Sequence, residues 1–195
     1  MSLALPPAPT PPRPRQLFVA TALASAGMAM VFAGLLGIYI ANRTAAGGTT
    51  ADWVPEGVHV PGVSTNMMLA TMAGICVVAQ WAVWSMKRGD RTNASLALGI
   101  LVVFAASLIV MQINVYEQMG IGIADDRYTT LFYGVTGVFV LAVVAGLLFT
   151  AVMAFHSLGG RFSSRDTEGL SSLAMFWYVL SLVFLALWYI VFVLK

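Results

Sequence analysis

Five stretches of this chain run for between 23 and 27 residues without a single Asp, Glu, Lys or Arg: 17–41, 64–86, 93–116, 129–155 and 170–194. Roughly 20 apolar residues suffice for a helix to cross the hydrocarbon core of a bilayer, so each stretch is long enough to span. A helix is also the only open-ended spanning element whose backbone groups are all satisfied internally. None of the five contains proline, and the residues between them carry the breakers: Gly47, Gly48, Pro55, Gly57, Pro61 and Gly62, then Gly89 and Asp90, Gly120 and Gly122, Gly159 and Gly160. Composition agrees. With 59% of 195 residues apolar, 9% charged and a mean hydropathy of +0.87, the chain has too few charges to cover a water-soluble globule. The same figures exclude a disordered chain and a secreted disulfide scaffold. The expected fold class is therefore all-α: a polytopic membrane protein, a bundle of five transmembrane helices.

Residues 1–16 hold six of the eight prolines and no apolar run, so they read as a disordered Pro-rich tail ahead of a membrane domain over 17–195. The apolar stretch that follows is about twice the length of a signal-peptide core and is expected to stay in the membrane. Orientation comes from Lys and Arg. With the N-terminus inside, the inner segments hold seven (Arg13, Arg15, Lys87, Arg88, Arg91, Arg161, Arg165), against three outside (Arg43, Arg127, Lys195). The positive-inside rule then puts the N-terminus in the cytoplasm and the C-terminus outside. A net charge of +2 with scattered cations gives no footprint for nucleic acid. The lone Cys76 sits among Ile75, Val77 and Val78 and reads as core filler.

Within the first span Ser25, Ala29, Ala33, Gly37 and Ala41 repeat at spacing four; within the fourth, Gly134, Ala142, Gly146, Thr150 and Ala154 nearly do so, with Gly137 nearby. Small residues let backbones approach closely, and close packing is what holds helices together in an apolar solvent. The first and fourth helices are thus expected to be central. The last, crowded with Phe176, Trp177, Tyr178, Phe184, Trp188, Tyr189 and Phe192, is expected at the periphery.

No charged residue lies inside a span, whereas pumps and transporters need ionisable or convergent polar groups at membrane depth. The polar residues present, Asn66, Gln112, Asn114 and Thr136 among them, read as interhelical hydrogen-bonding groups. His59 and His156 are expected on opposite membrane faces and cannot converge on a metal or haem. Gly120-Ile121-Gly122 lacks the helix that a phosphate loop requires. The chain is expected to contain no catalytic, cofactor-binding or metal-binding residue.

The run Asp125-Asp126-Arg127-Tyr128-Thr129-Thr130-Leu131-Phe132-Tyr133-Gly134-Val135-Thr136-Gly137 resembles a pattern of subunit III of the haem-copper oxidases, the cytochrome c and quinol oxidase family. Gln112-Ile113-Asn114-Val115-Tyr116 is similar to its Gln-x-x-Glu-Tyr, and Trp53-Val54-Pro55-Glu56-Gly57 with Pro61, Thr65 and Asn66 is similar to its Trp-Pro-Pro loop and the helix start after it. Phe32-Ala33-Gly34-Leu35, Tyr39 and Arg43 resemble the first conserved helix. The likeness covers most of 17–195 and follows the five-helix form of that subunit. It departs at the polar positions: Met28 and Val115 stand for glutamates, Phe139 and Ala142 for histidines, and Tyr178 and Ser181 for His and Asp.

The resemblance implies a non-catalytic, stabilising subunit of a respiratory terminal oxidase in a bacterial-type inner membrane. It would pack against a catalytic subunit I that holds haem and copper and a copper-bearing subunit II, keep lipids between its helices, and bind no cofactor itself. A subunit of another membrane complex, or a small transporter-like protein, is the alternative that the residues leave open.

Overall fold

In the computed structural model, residues 15–123, 125–160 and 167–194 are described. They form α1 (Gln16–Ala45), a short α2 (Thr50–Trp53), α3 (Gly62–Lys87), α4 (Arg91–Met119), α5 (Arg127–Leu158) and α6 (Glu168–Leu187), which continues as a π-helical segment, Trp188–Val193. Five of these helices are long and apolar enough to cross a membrane, and none of the described residues is in a strand. The chain is a multi-pass membrane protein of the all-α class. Most of the tail expected over 1–16, together with Arg13, Arg161, Arg165 and Lys195 of the charge count, lies outside the described residues.

Each helix overruns its uncharged stretch by one to four residues at most ends, because a charge stops a span but not a helix. The ends are set by caps instead. Asp90 accepts the Asn93 N–H at 3.0 Å to start α4, and Asp126 and Thr129 form a reciprocal capping box at the start of α5. Gly120 closes α4 in the left-handed conformation, φ +58°. The unexpected α2 has the same logic: Thr49 accepts the Asp52 N–H at 3.3 Å while the Asp52 carboxylate accepts the Thr49 hydroxyl. Thr-x-x-Asp at 49–52 is the signal that identifies it.

Helices α3, α4, α5 and α6 pack as a closed ring of four, each on the next, and α1 flanks the ring against α6 and, less extensively, α5. Neighbours in the chain are antiparallel, so residues 46–61, 120–123 and 125–126 share one end of the bundle and 88–90, 159–160 and 167 the other. Helix α1 runs parallel to α6 and is fastened to it at both ends. The Phe18 N–H, an unpaired donor in the first turn of α1, is accepted by Glu168 Oε1 at 3.0 Å; Arg43 Nη2 donates to the Leu194 carbonyl at 3.0 Å. Each contact puts a charge of the favourable sign at a helix end.

This arrangement corrects the expected placement of the helices. The aromatic α6 is the shared element, the most buried of the five spans, with Trp177, Leu180, Phe184 and Leu187 wholly enclosed; α1 is the least buried. Small residues permit close approach but offer little contact area, whereas large rings fill an interior in which dispersion contacts are the main attraction. The two meet at Gly146 of α5. A Cβ there would lie 2.7 Å from Phe176 Cε1 and 2.9 Å from Trp177 Cζ2, so the glycine is the socket into which the rings of α6 fit. Gly74 of α3 receives Phe104 of α4 in the same way.

Candidate functional site

The small-residue ladder of α1 does not stay on one face. Steps of four residues advance about 40° beyond a full turn each, and the rungs pass from buried Ser25 through half-buried Ala29 to exposed Ala33 and Gly37. A Cβ added at Gly37, Gly134 or Gly137 would meet nothing within 4 Å, whereas at Gly146 it would clash. Ala142 is half-buried on the same helix as Gly146. Within this chain, then, Ser25 and Gly146 are interior, and Ala33, Gly37 and Gly134 look outward.

Polar groups in the spans cross between helices at a few rungs. Trp188 Nε1 donates to Asn66 Oδ1 (3.1 Å, π segment to α3), Ser64 Oγ to Asn114 Oδ1 (3.3 Å, α3 to α4), and the Tyr116 hydroxyl to Thr136 Oγ1 (2.8 Å, α4 to α5). Thr136 passes its own proton to the Phe132 carbonyl at 2.6 Å. Gln112 is different. It is 1% exposed and neither amide atom is hydrogen-bonded; the side chain lies near the Tyr116 hydroxyl without reaching hydrogen-bonding geometry. Sequence reading missed the deepest rung, where Trp177 Nε1 donates to Thr150 Oγ1 (3.0 Å) and Thr150 in turn to the Gly146 carbonyl (2.7 Å). The residue that makes room for the indole is thereby also tied to it.

Of the positions at which the sequence departs from the resembling pattern, two pack carbon and two make neutral hydrogen bonds. Val115 is fully buried, and Phe139 lies against Phe184 with ring centroids 4.8 Å apart. Tyr178 donates to Gln80 Oε1 at 2.8 Å, and Cys76 Sγ donates to Ser181 Oγ at 3.1 Å, which fastens α3 to α6.

The described surface includes two concave regions. At the end holding residues 46–61, Tyr39, Trp53 and Tyr128 meet edge to face, with centroids 5.4 and 5.8 Å apart, beneath a pocket of about 420 Å³ whose rim carries Asp52, Glu56, Asp126 and Arg127. The Tyr39 and Tyr128 hydroxyls and the Trp53 indole N–H are buried there without hydrogen bonds. The second is a groove of about 560 Å³ on the lipid-facing side of α3 and α6, lined by Cys76, Val77, Gln80, Trp81, Trp84 and Tyr178. Neither contains a histidine. His59 is exposed at one end of the bundle and His156 lies at the other, and among the described residues no three His, Cys, Asp or Glu side chains gather as a metal would require.

Fold and interior together define a class: a five-span membrane bundle whose buried groups serve helix packing. The cytochrome c oxidase subunit III family matches residues 19–194, and the chain belongs to that family. It is 30% identical over 142 residues to cytochrome c oxidase subunit 3 of Sus scrofa and, equally, of Bos taurus; that of Pelea capreolus is 29% identical over the same length. Each alignment covers 70% of this chain and 53% of the relative, so the chain spans about half the length of the curated relatives it matches.

Proposed function

We propose that this chain is a non-catalytic subunit III of a haem-copper terminal oxidase, packed beside the haem- and copper-bearing subunit I and the copper-bearing subunit II, and holding lipid between its helices. The observation that carries this reading is family membership across 19–194 on a bundle whose interior is filled by packing groups. The chain itself needs no cofactor in this role. Its orientation is N-terminus in the cytoplasm and C-terminus outside, in a bacterial-type inner membrane, with the five spans forming one membrane domain. The outward rungs Ala33, Gly37 and Gly134, which have no neighbour of their own over them, suit a close crossing with a helix of the catalytic subunit.

Purification of the tagged chain tests the assignment: an oxidase spectrum should co-purify, and its absence would favour membership in another membrane complex. An oxidase stripped of this chain should keep its initial turnover and proton release but inactivate sooner, since packing is lost while the redox centres stay intact. An immediate loss of initial rate with an unchanged haem spectrum would show a direct part in catalysis and overturn the non-catalytic reading.

A further inference from the structure

The end of the bundle that holds residues 46–61 is acidic. Asp52, Glu56, Glu117, Asp125 and Asp126 stand there, and the described cations beside them are Arg43, engaged with the Leu194 carbonyl, and Arg127. Three of those carboxylates, Asp52, Glu56 and Asp126, rim the pocket of about 420 Å³, and Arg127 is the one cation among its described lining residues. Two of the three are fixed in place: Asp126 caps α5, and Asp52 accepts the Thr49 hydroxyl. Glu56 is exposed and has no hydrogen bond or ion pair among the described residues.

The wall beneath this rim is aromatic. Trp53 and Tyr128 line it, and Tyr39 lies edge to face behind Trp53. All three side chains are more than nine-tenths buried, yet the indole N–H and both hydroxyls lack a partner. Carboxylates over aromatic rings suit a guanidinium or an ammonium, which the acids attract and the rings stack against. The indole N–H can only donate, so an occupant that reaches the floor also has to bring an acceptor. A bare metal ion brings none, and no three His, Cys, Asp or Glu side chains gather here among the described residues. A zwitterionic lipid headgroup would bring its phosphate against the same three carboxylates. A basic side chain on a polypeptide meets both demands, with the cation for the rim and backbone carbonyls beside it for the floor. The volume falls within the range of about 300 to 1,000 Å³ usual for a binding pocket, enough for a few side chains.

We propose that this pocket is the docking point of a basic extramembrane segment of a neighbouring subunit, an Arg or Lys side chain entering between Asp52, Glu56 and Asp126 and lying on Trp53 and Tyr128. This rests on the place in an oxidase complex proposed above, but not on which subunits compose that complex.

The test is photo-crosslinking within the intact complex, purified through a tag on this chain. Ala45 lines the pocket and is exposed, so Ala45→p-benzoylphenylalanine puts the probe at the rim without disturbing the interior. Mass spectrometry of the adduct should find a segment of another subunit with Arg or Lys close to the cross-linked residue. E56K, which turns an attractive pair into a like-charge one, should lower the yield several-fold, and E56D should keep most of it. E117K makes the same change of charge at the same end but outside the pocket, and should leave the yield nearly unchanged. Adducts only to lipid or to this chain itself, a cross-linked segment without Arg or Lys, or equal losses in E56K and E117K would overturn the docking site while leaving membership of the complex in place. A tagged chain that purifies with no other subunit would overturn both. Glu56 is exposed and unpaired, so E56K is expected to fold, and unchanged helicity by circular dichroism checks this.

Discussion

Whether a small residue is structural depends here on what faces it, not on its being small. Gly146 accommodates Phe176 and Trp177 at distances that no Cβ could tolerate, whereas Gly37 has nothing within 4 Å. G146L should therefore lower the thermal stability of the chain in detergent by about 1 to 3 kcal/mol, the usual cost of overpacking a filled interior. G37L should leave that stability unchanged and act only on retention in the assembled complex. Both are read by thermal unfolding of the purified chain alongside co-purification of the complex. Equal destabilisation of the isolated chain by the two would mean that Gly37 is packed within it. The sequence marks both glycines only as small residues at helical spacing; that Gly146 has a partner within the chain and Gly37 has none depends on a helix that is remote in the chain.

At the scale of the element, caps and clamps set where the helices end. The Asn93 backbone N–H, and then its side-chain amide, hold the Asp90 carboxyl below its ordinary value. A pKa that is lower in the folded protein means that the cap contributes fully above the unfolded carboxylate range and is lost as pH falls through the folded value. Amide exchange in the first turn of α4, corrected for the intrinsic pH dependence, should thus accelerate only in strongly acidic solution. D90N should abolish that extra pH dependence while keeping most of the protection, since Asn is an equally good N-cap. At the α1–α6 pair, E168A should speed exchange in the first turn of α1 by removing the acceptor of the Phe18 N–H. R43A should do the same at the end of α6, where the Leu194 carbonyl is released. Each loss corresponds to about 0.3 to 1 kcal/mol for a charge at a helix terminus. Unaltered exchange at both sites would show that α1 is held by its apolar contacts alone.

For the whole molecule, the antiparallel run of five spans puts the start of α1 and the end of α6 at opposite ends of the bundle, and the orientation proposed above rests on the seven-to-three division of Lys and Arg. A periplasmic reporter fused after Lys195 should be active and a cytoplasmic one silent; the reverse result would invert the orientation. The apolar exterior, with Leu23, Met30, Val77 and Phe155 all more than half exposed, is the surface expected where the solvent is lipid. The ring of α3 to α6 gives the bundle its interior, and α1 remains a flank held along one side.

The number of spans, their approximate limits, the absence of charge at membrane depth and the likeness to subunit III were all legible in the sequence. Each follows from a local property: a run of apolar residues, a missing charge, a motif in register. The helix ends were legible only to within a few residues, since Asp90, Asp126 and the Thr49–Asp52 pair act through capping geometry instead of hydropathy. Which helix is shared by the others was decided by the tertiary structure alone. In water, burial tracks hydrophobicity and a pattern marks the inner face; in a bilayer the outside is as apolar as the inside, so composition does not say which way a helix turns. Side-chain shape decides instead, ring into socket, and the aromatic α6 took the interior position from the small-residue α1. The same reason hid the groove. Val77, Trp81 and Trp84 are spaced along one stripe of α3, but only the approach of α6, with Tyr178 bonded to Gln80, gives that stripe a second wall.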